Sequence, residues 1–178
     1  MSTVIFRLLS LFIMTGSTVP VYSQSALLLK DVREKYFYNN HHTCYVLKII
    51  EAFKTNPPKE PILIAYYGAA SAAAPECGAK NFEKLRLFNK GKELLEEAIK
   101  QSPGDFEIRF LRFATQVKAP RFLGYNINID EDKKLLIKNI ETGKEQFKGS
   151  PHFNQILKFM LDSGKLNQSE KQFVSSYL

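Results

Sequence analysis

The sequence predicts an all-α fold, an antiparallel helix-hairpin stack that is tetratricopeptide-like and has about eight helices. Apolar side chains recur every three to four residues from residue 26 to residue 178, which is the spacing of amphipathic helices. No segment shows the strict alternation of apolar and polar side chains that is typical of a strand. The connections between helical segments are mostly short, so consecutive helices should lie antiparallel and pack as hairpins.

Residues 1–23 are predicted to be a signal peptide. Arg7 precedes an apolar run from Leu8 to Met14, which is shorter than the ~20 residues of a membrane span. Small and turn-forming residues follow, so cleavage is expected before Gln24. An ordinary N-terminal helix is the alternative. The mature chain, residues 24–178, should be a single helical domain, exported to the periplasm or the extracellular space and without a membrane span.

The first four predicted helices are bounded by prolines or carry an apolar stripe. They span residues 26–38, 43–55, 61–74 and 81–101. Pro57 ends the second helix, Pro61 lies in the first turn of the third, and Pro103 ends the fourth. Small side chains on one face of the third helix, among them Ala69 and Ala70, should let a neighbouring helix approach closely.

The last four predicted helices are bounded by capping residues. They span residues 106–117, 130–147, 150–164 and 167–178. Asp105 and Asp130 can cap the first two, Gly164 closes the third, and Asn167 with Glu170 forms a capping box for the last. The helix after Asp105 is apolar around nearly its whole circumference, so it should lie in the middle of the domain.

One segment has the spacing of a tetratricopeptide repeat. Gly91, Leu95, Ala98 and Pro103 lie at intervals of 4, 3 and 5 residues, which match the second helix of that repeat. The small positions would let the two helices of a hairpin nest closely, with the helix that begins at Pro61 as the partner. A generic amphipathic helix followed by a proline is the alternative interpretation.

Three segments carry a resemblance to a known family: Lys90–Ile99, Glu107–Phe113 and Ala119–Tyr125. The stretch that contains them, from about residue 62 to residue 132, resembles small exported tetratricopeptide-like proteins of Bacteroidota. The resemblance implies a helix-hairpin fold and export. It implies no chemistry, because no activity is assigned to that family and it has no catalytic residues to transfer.

The protein has a formal net charge of +7, and its basic residues are spread along the chain, mostly as lysines beside glutamates. A nucleic-acid interface would show a basic cluster with interleaved aromatic side chains instead. The pattern therefore predicts a solvated surface and no nucleic-acid partner.

The sequence has no constellation typical of an enzyme. It lacks a G-x-S-x-G motif, a Gly-rich phosphate loop and a dinucleotide fingerprint. Zinc-site spacing is also missing among the candidate ligands, which are His41, His42, Cys44, Cys77 and His152. We therefore expect no catalytic activity, no metal and no cofactor.

The two cysteines lie near the far ends of the second and third predicted helices. If these helices form an antiparallel hairpin, Cys44 and Cys77 lie roughly 18 Å and 25 Å from the turn, about one helical turn apart. A disulfide in an oxidising compartment and two separate half-buried thiols are both compatible with this placement.

A candidate partner-binding site consists of three tyrosines and three arginines: Tyr66, Tyr67, Arg109, Arg112, Arg121 and Tyr125. Arg109 and Arg112 share one face of an otherwise apolar helix, where guanidinium groups need carboxylate or carbonyl partners. In one interpretation, Glu107, Asp130 and helix C-termini supply these partners, and the arginines lock the 118–129 loop onto the stack. In the other, the arginines clamp a peptide carboxylate on a concave face.

Two functions are compatible with these observations. The first is an exported interaction or scaffold module that binds a protein or peptide partner. The alternative is a periplasmic carrier of a small ligand or lipid, whose cavity would be lined by some of the 14 phenylalanines of a chain that has no tryptophan. An open concave groove would favour the first function, and a sizeable closed apolar pocket would favour the second.

Overall fold

The computed structural model describes residues 21–38, 43–78 and 81–178, and this part of the chain is helical without any strand. The all-α prediction is therefore confirmed. Residues 1–20 of the predicted signal peptide lie outside the described residues, so the signal peptide stays a prediction. The helices are α1 (Val21–Phe37), α2 (Val46–Thr55), α3 (Pro61–Ala73), α4 (Asn81–Gln101), α5 (Phe106–Lys118), α6 (Ile129–Lys138), α7 (Ile140–Gln146), α8 (His152–Asp162) and α9 (Gln168–Ser175).

The segment predicted as one helix over residues 130–147 is two helices, α6 and α7. The break is at Asn139, whose φ of −104° and ψ of 22° are not helical. Asparagine favours such positions because its side chain competes with the helical hydrogen bonds, and here its amide donates to the carbonyl of Gly104 at 3.4 Å. The described residues therefore contain one α-helix more than the eight that the sequence predicts.

Two of the three predicted side-chain caps of the later helices are confirmed. The carboxylate of Asp105 accepts a hydrogen bond from the third residue of α5, and Asn167 with Glu170 forms a complete capping box on α9. The predicted cap at Asp130 is wrong, because α6 begins at Ile129 and its N-cap residue is Asn128, two residues before Asp130. Asp130 instead lies in the first turn of α6, where its charge suits the helix dipole.

Helices α3 and α5 form the centre of the fold. Every residue of α5 from Phe106 to Gln116 is buried, as is every residue of α3 from Leu63 to Ser71. Helix α3 packs against α2, α4 and α5, and α5 packs against α3, α6 and α7. The expectation that the helix after Asp105 lies in the middle is therefore confirmed.

Helices α3 and α4 approach one another backbone to backbone. A Cβ atom at Gly91 would lie 2.5 Å from the carbonyl oxygen of Gly68 and 2.6 Å from the backbone nitrogen of Ala72. Leu95 and Ala98, which follow Gly91 in the repeat-like spacing, are fully buried. Small residues on both helices thus permit the close packing that the spacing indicates.

A disulfide joins Cys44 and Cys77, with their Cα atoms 5.7 Å apart. Cys44 lies just before α2, and Cys77 ends a short 3₁₀ helix, Ala74–Cys77, that continues α3. The bridge joins the two ends of the α2–α3 pair that are farthest from its connecting turn, so these helices run antiparallel. Of the two arrangements that the sequence leaves open, the structure has the bridge.

Candidate functional site

Most of the side chains predicted to bind a partner face the interior. Five of the six are buried, namely Tyr66, Tyr67, Arg109, Arg112 and Tyr125. Arg109 and Arg112 are only 5% and 2% exposed, and both form ion pairs within the chain. Arg121, the sixth residue, is exposed and separate from them. Arg109 and Arg112 are therefore not available to bind a peptide carboxylate, which was one of the two interpretations of the sequence, because their guanidinium groups are buried and paired within the chain.

A buried carboxylate, Asp132, holds both arginines. It accepts two hydrogen bonds from Arg112, at 2.7 and 2.8 Å, and one from Arg109 at 2.8 Å. Glu131 accepts from Arg109 at 2.7 Å, and Glu96 accepts from Arg112 at 2.8 Å. Burial alone would lower the pKa of Arg112, but Asp132 and Glu96 raise it above its ordinary value. We call these five side chains the Asp132 cluster, which joins α5 to α4 and α6.

Glu107 forms a second buried network. Arg33 of α1 donates to both carboxylate oxygens, at 2.7 and 2.5 Å, and the hydroxyl of Tyr66 donates at 2.5 Å. Gln146 of α7 also donates to this carboxylate, at 3.0 Å. The prediction that Glu107 pairs with the arginines of its own helix is wrong, because its carboxylate faces α1, α3 and α7.

The loop between α5 and α6 is anchored by other contacts than those predicted. The prediction that Asp130 pairs with Arg109 or Arg112 is also wrong. Its side chain is 82% exposed and, among the described residues, forms an ion pair only with Lys133. Tyr125 instead donates to Glu96 at 2.8 Å, and the backbone N–H of Asn128 donates to a side chain of α5. The loop is therefore held against the helices, as the first interpretation of the arginines expects, but the bonds that hold it come from Tyr125 and Asn128.

Buried tyrosines predict a loss of stability at alkaline pH. Burial raises the pKa of Tyr66 and Tyr125, and the carboxylates of Glu107 and Glu96 raise each further. Both hydroxyls therefore stay protonated in the folded state, whereas unfolded tyrosine titrates near pH 10. Their stabilisation is present below that pH and is lost as the pH rises above it, by up to about 1.4 kcal/mol per pH unit for each group.

Urea unfolding followed by circular dichroism between pH 8 and 11 measures this loss. Tyr125→Phe should flatten the decline above pH 10 relative to the unmodified protein, whereas Tyr38→Phe, at a half-exposed position, should not. Identical pH profiles for the two variants would show that Tyr125 does not contribute.

A half-open pocket of about 860 Å³ lies between the ends of several helices. Its walls come from the end of α1, the second half of α3 with its 3₁₀ continuation, and the first turns of α4. The first residue of α2, the end of α5, the loop after it and α8 complete the walls. This volume falls within the range of ~300–1,000 Å³ typical of small-molecule sites. None of the six predicted partner-binding residues lines the pocket.

Aromatic and small side chains form the inner surface of the pocket. The aromatic residues of this surface are Tyr36, Phe37, Phe88, Phe110 and Phe159, and a further aromatic lining residue, Phe122, is exposed at the opening. Phe110 stacks on Phe37 with ring centroids 6.0 Å apart and meets the edge of Phe159 at 5.7 Å. Ala73 and Ala114 also line the pocket, and their short side chains leave the space between the rings open. The pocket is therefore suited to an apolar molecule.

Charged side chains lie at the opening of the pocket. The polar lining residues are Glu76, Lys84, Thr115, Lys118 and Gln155. Thr115 donates to a backbone carbonyl at 2.8 Å, and Gln155 contacts the ring of His152 at 2.8 Å, so both are engaged within the fold. The three charged residues are solvent-exposed, as are the apolar lining residues Phe122 and Leu85.

No family model matches the chain. Neither a curated protein nor a solved structure matches it. The resemblance to exported tetratricopeptide-like proteins of Bacteroidota therefore stays a prediction, and the function is argued from geometry.

Within the described ranges, no helix has the length and apolar character needed to cross a membrane. The same part of the chain holds no group of three or more His, Cys, Asp or Glu that could bind a metal ion. His41 and His42, two of the ligands considered from the sequence, lie outside the described residues.

Proposed function

We propose that the protein binds a small apolar molecule in the pocket between α1, α2, α3, α4, α5 and α8. The observation that carries the proposal is an aromatic-lined pocket of about 860 Å³ whose inner wall has alanines at Ala73 and Ala114. Each Å² of apolar surface removed from water makes the free energy of binding more favourable by about 25 cal/mol, so a ligand that fills this space gains most of its affinity from burial. Export, as the N-terminal segment predicts, would make the protein a carrier or sensor outside the cytoplasm.

The second candidate is the interaction module that the sequence first suggests. It is favoured by two apolar side chains at the opening of the pocket, since Phe122 is 86% exposed and Leu85 is 54% exposed. A protein or peptide partner that inserts an apolar side chain would cover both. We prefer the small-molecule function because Arg109 and Arg112, the residues considered for binding a peptide carboxylate, are buried and paired with Asp132.

Filling the pocket tests the small-molecule function. Ala73 ends α3 and is half-buried in the pocket wall, so Ala73→Phe would place a ring in the space that a ligand needs. A neutral fluorescent probe, N-phenyl-1-naphthylamine, should bind the unmodified protein with increased emission. The variant should bind it roughly tenfold or more weakly, because loss of pocket volume excludes part of the probe.

Ala52→Phe is the matched control, because Ala52 is exposed on α2 and does not line the pocket. It should leave the affinity for the probe unchanged, and circular dichroism should show that both variants are folded. Probe binding that is equal in both variants would place the site elsewhere and contradict the proposal. Absence of probe binding by the unmodified protein would contradict it as well.

A further inference from the structure

The charges at the opening of the pocket are mostly positive. Lys84 and Lys118 line it, and Arg121 lies in the loop between two lining residues, Pro120 and Phe122. Glu76 is the one acidic residue among the described lining side chains. A ligand group at the opening therefore meets more cationic than anionic side chains.

These cations have few interactions inside the fold. In the described part of the chain, neither Lys84 nor Arg121 forms an ion pair, in contrast to the fully paired Asp132 cluster. The ammonium group of Lys118 lies 5.9 Å from the ring centroid of Phe159, which places its charge next to the aromatic inner surface. Lys118 is thus positioned where an apolar tail inside the pocket would meet a polar head outside it.

We infer that the ligand is a single-chain amphiphile with an anionic head, of the fatty-acid type. Its chain lies among the aromatic rings, and its carboxylate contacts Lys118, with Lys84 and Arg121 nearby. This inference rests on the proposed function. A neutral molecule would leave the cations unused, and a cationic amphiphile would face two lysines for one glutamate. The apolar interior and the cationic opening together match an anionic amphiphile.

Displacement of the neutral probe by three molecules of equal chain length tests the head group. Dodecanoate and dodecylammonium are titrated below the concentrations at which they form micelles, and 1-dodecanol is titrated below its solubility limit. Dodecanoate should displace the probe at a concentration about tenfold lower than dodecylammonium, with the alcohol between them, because each exposed charge contact changes affinity by a factor of up to about five.

Reversing the charge of the two lysines at the opening tests whether they cause the preference for an anionic head group. The double variant Lys84→Glu/Lys118→Glu should bind dodecanoate about tenfold more weakly and bind the alcohol within about twofold of the unmodified protein. Lys100→Glu/Lys138→Glu is the control, since it changes the net charge equally at exposed positions away from the pocket. It should leave both affinities unchanged.

The outcomes separate the two proposals. If the probe binds and Ala73→Phe blocks it, but the three head groups compete equally or the ammonium competes best, the anionic head is wrong and the apolar pocket stands. An equal effect of the two double variants on dodecanoate would also refute the role of Lys118. If the probe does not bind, the proposed function itself fails.

Discussion

Replacing Asp132 by asparagine should lower the free energy of unfolding by about 3–5 kcal/mol, the usual cost of removing one partner from a buried ion pair. Its carboxylate is fully buried and accepts three hydrogen bonds from Arg109 and Arg112. Asparagine retains the shape but not the charge, so Glu96 and Glu131 would be the remaining acidic partners of two nearly buried guanidinium groups, beside the carbonyl of Pro103, which accepts from Arg109 at 2.6 Å. Both of these acids are partly exposed and compensate poorly.

Urea unfolding monitored by circular dichroism measures the effect, and the chain supplies a matched control. Asp130 lies two residues before Asp132 on the same helix, but its side chain is 82% exposed. Asp130→Asn should change the free energy of unfolding by no more than about 0.5 kcal/mol. If the two variants were equally stable, the Asp132 cluster would not be the contact that holds α6 on α5.

Replacing Gly91 by alanine should cost at least about 3 kcal/mol, at the upper end of overpacking substitutions. The added Cβ would lie 2.5 Å from the carbonyl oxygen of Gly68 and 2.6 Å from the nitrogen of Ala72. Both are backbone atoms of α3, so no side-chain rotation can relieve the contact. Separating α3 from α4 would disturb the most extensive helix pair in the described fold.

Gly104→Ala is the control for this substitution. An added Cβ at Gly104 would have no atom within 4 Å, and the loop between α4 and α5 can accept it. Its thermal midpoint should stay close to that of the unmodified protein, whereas Gly91→Ala should unfold at a clearly lower temperature. Equal midpoints would show that α3 and α4 do not pack at the distance that the structure gives.

The sequence predicts the helices well because their signals are local. Apolar spacing, prolines and capping residues act within one or two turns, so both ends of α3 and α5 and the start of α9 follow from neighbouring residues. The break at Asn139 is missed because the apolar pattern continues across it. A single asparagine is a weak local signal, and tertiary contacts decide whether it interrupts a helix.

Partners distant in the sequence are not predictable in the same way. The need of Arg109 and Arg112 for carboxylates follows from their apolar helix, but the choice among several acids does not. Asp132 rather than Asp130 faces them because α6 begins at Ile129, and a shift of two residues turns a helical side chain to another face. The pairing of Glu107 with Arg33 spans 74 residues and leaves no local pattern.

The pocket is the feature that the sequence could not locate. Its lining residues come from six of the α-helices, a 3₁₀ helix and a loop, and most of them are ordinary apolar residues of helix faces. The abundance of phenylalanine suggests that a cavity exists, but it does not indicate where in the fold the cavity lies. Only the packed arrangement shows that Phe37, Phe110 and Phe159 line a pocket as well as packing on one another.

The most direct test of the proposed function is a titration of the neutral probe N-phenyl-1-naphthylamine into protein labelled with ¹³C on alanine methyl groups, followed by nuclear magnetic resonance. The methyl signals of Ala73 and Ala114 should shift and show intermolecular contacts with the rings of the probe, because both residues line the pocket. Ala98, fully buried away from the pocket, should not change. Shifts confined to alanines outside the pocket, or no shifts at all, would contradict the assignment of this pocket as a ligand site.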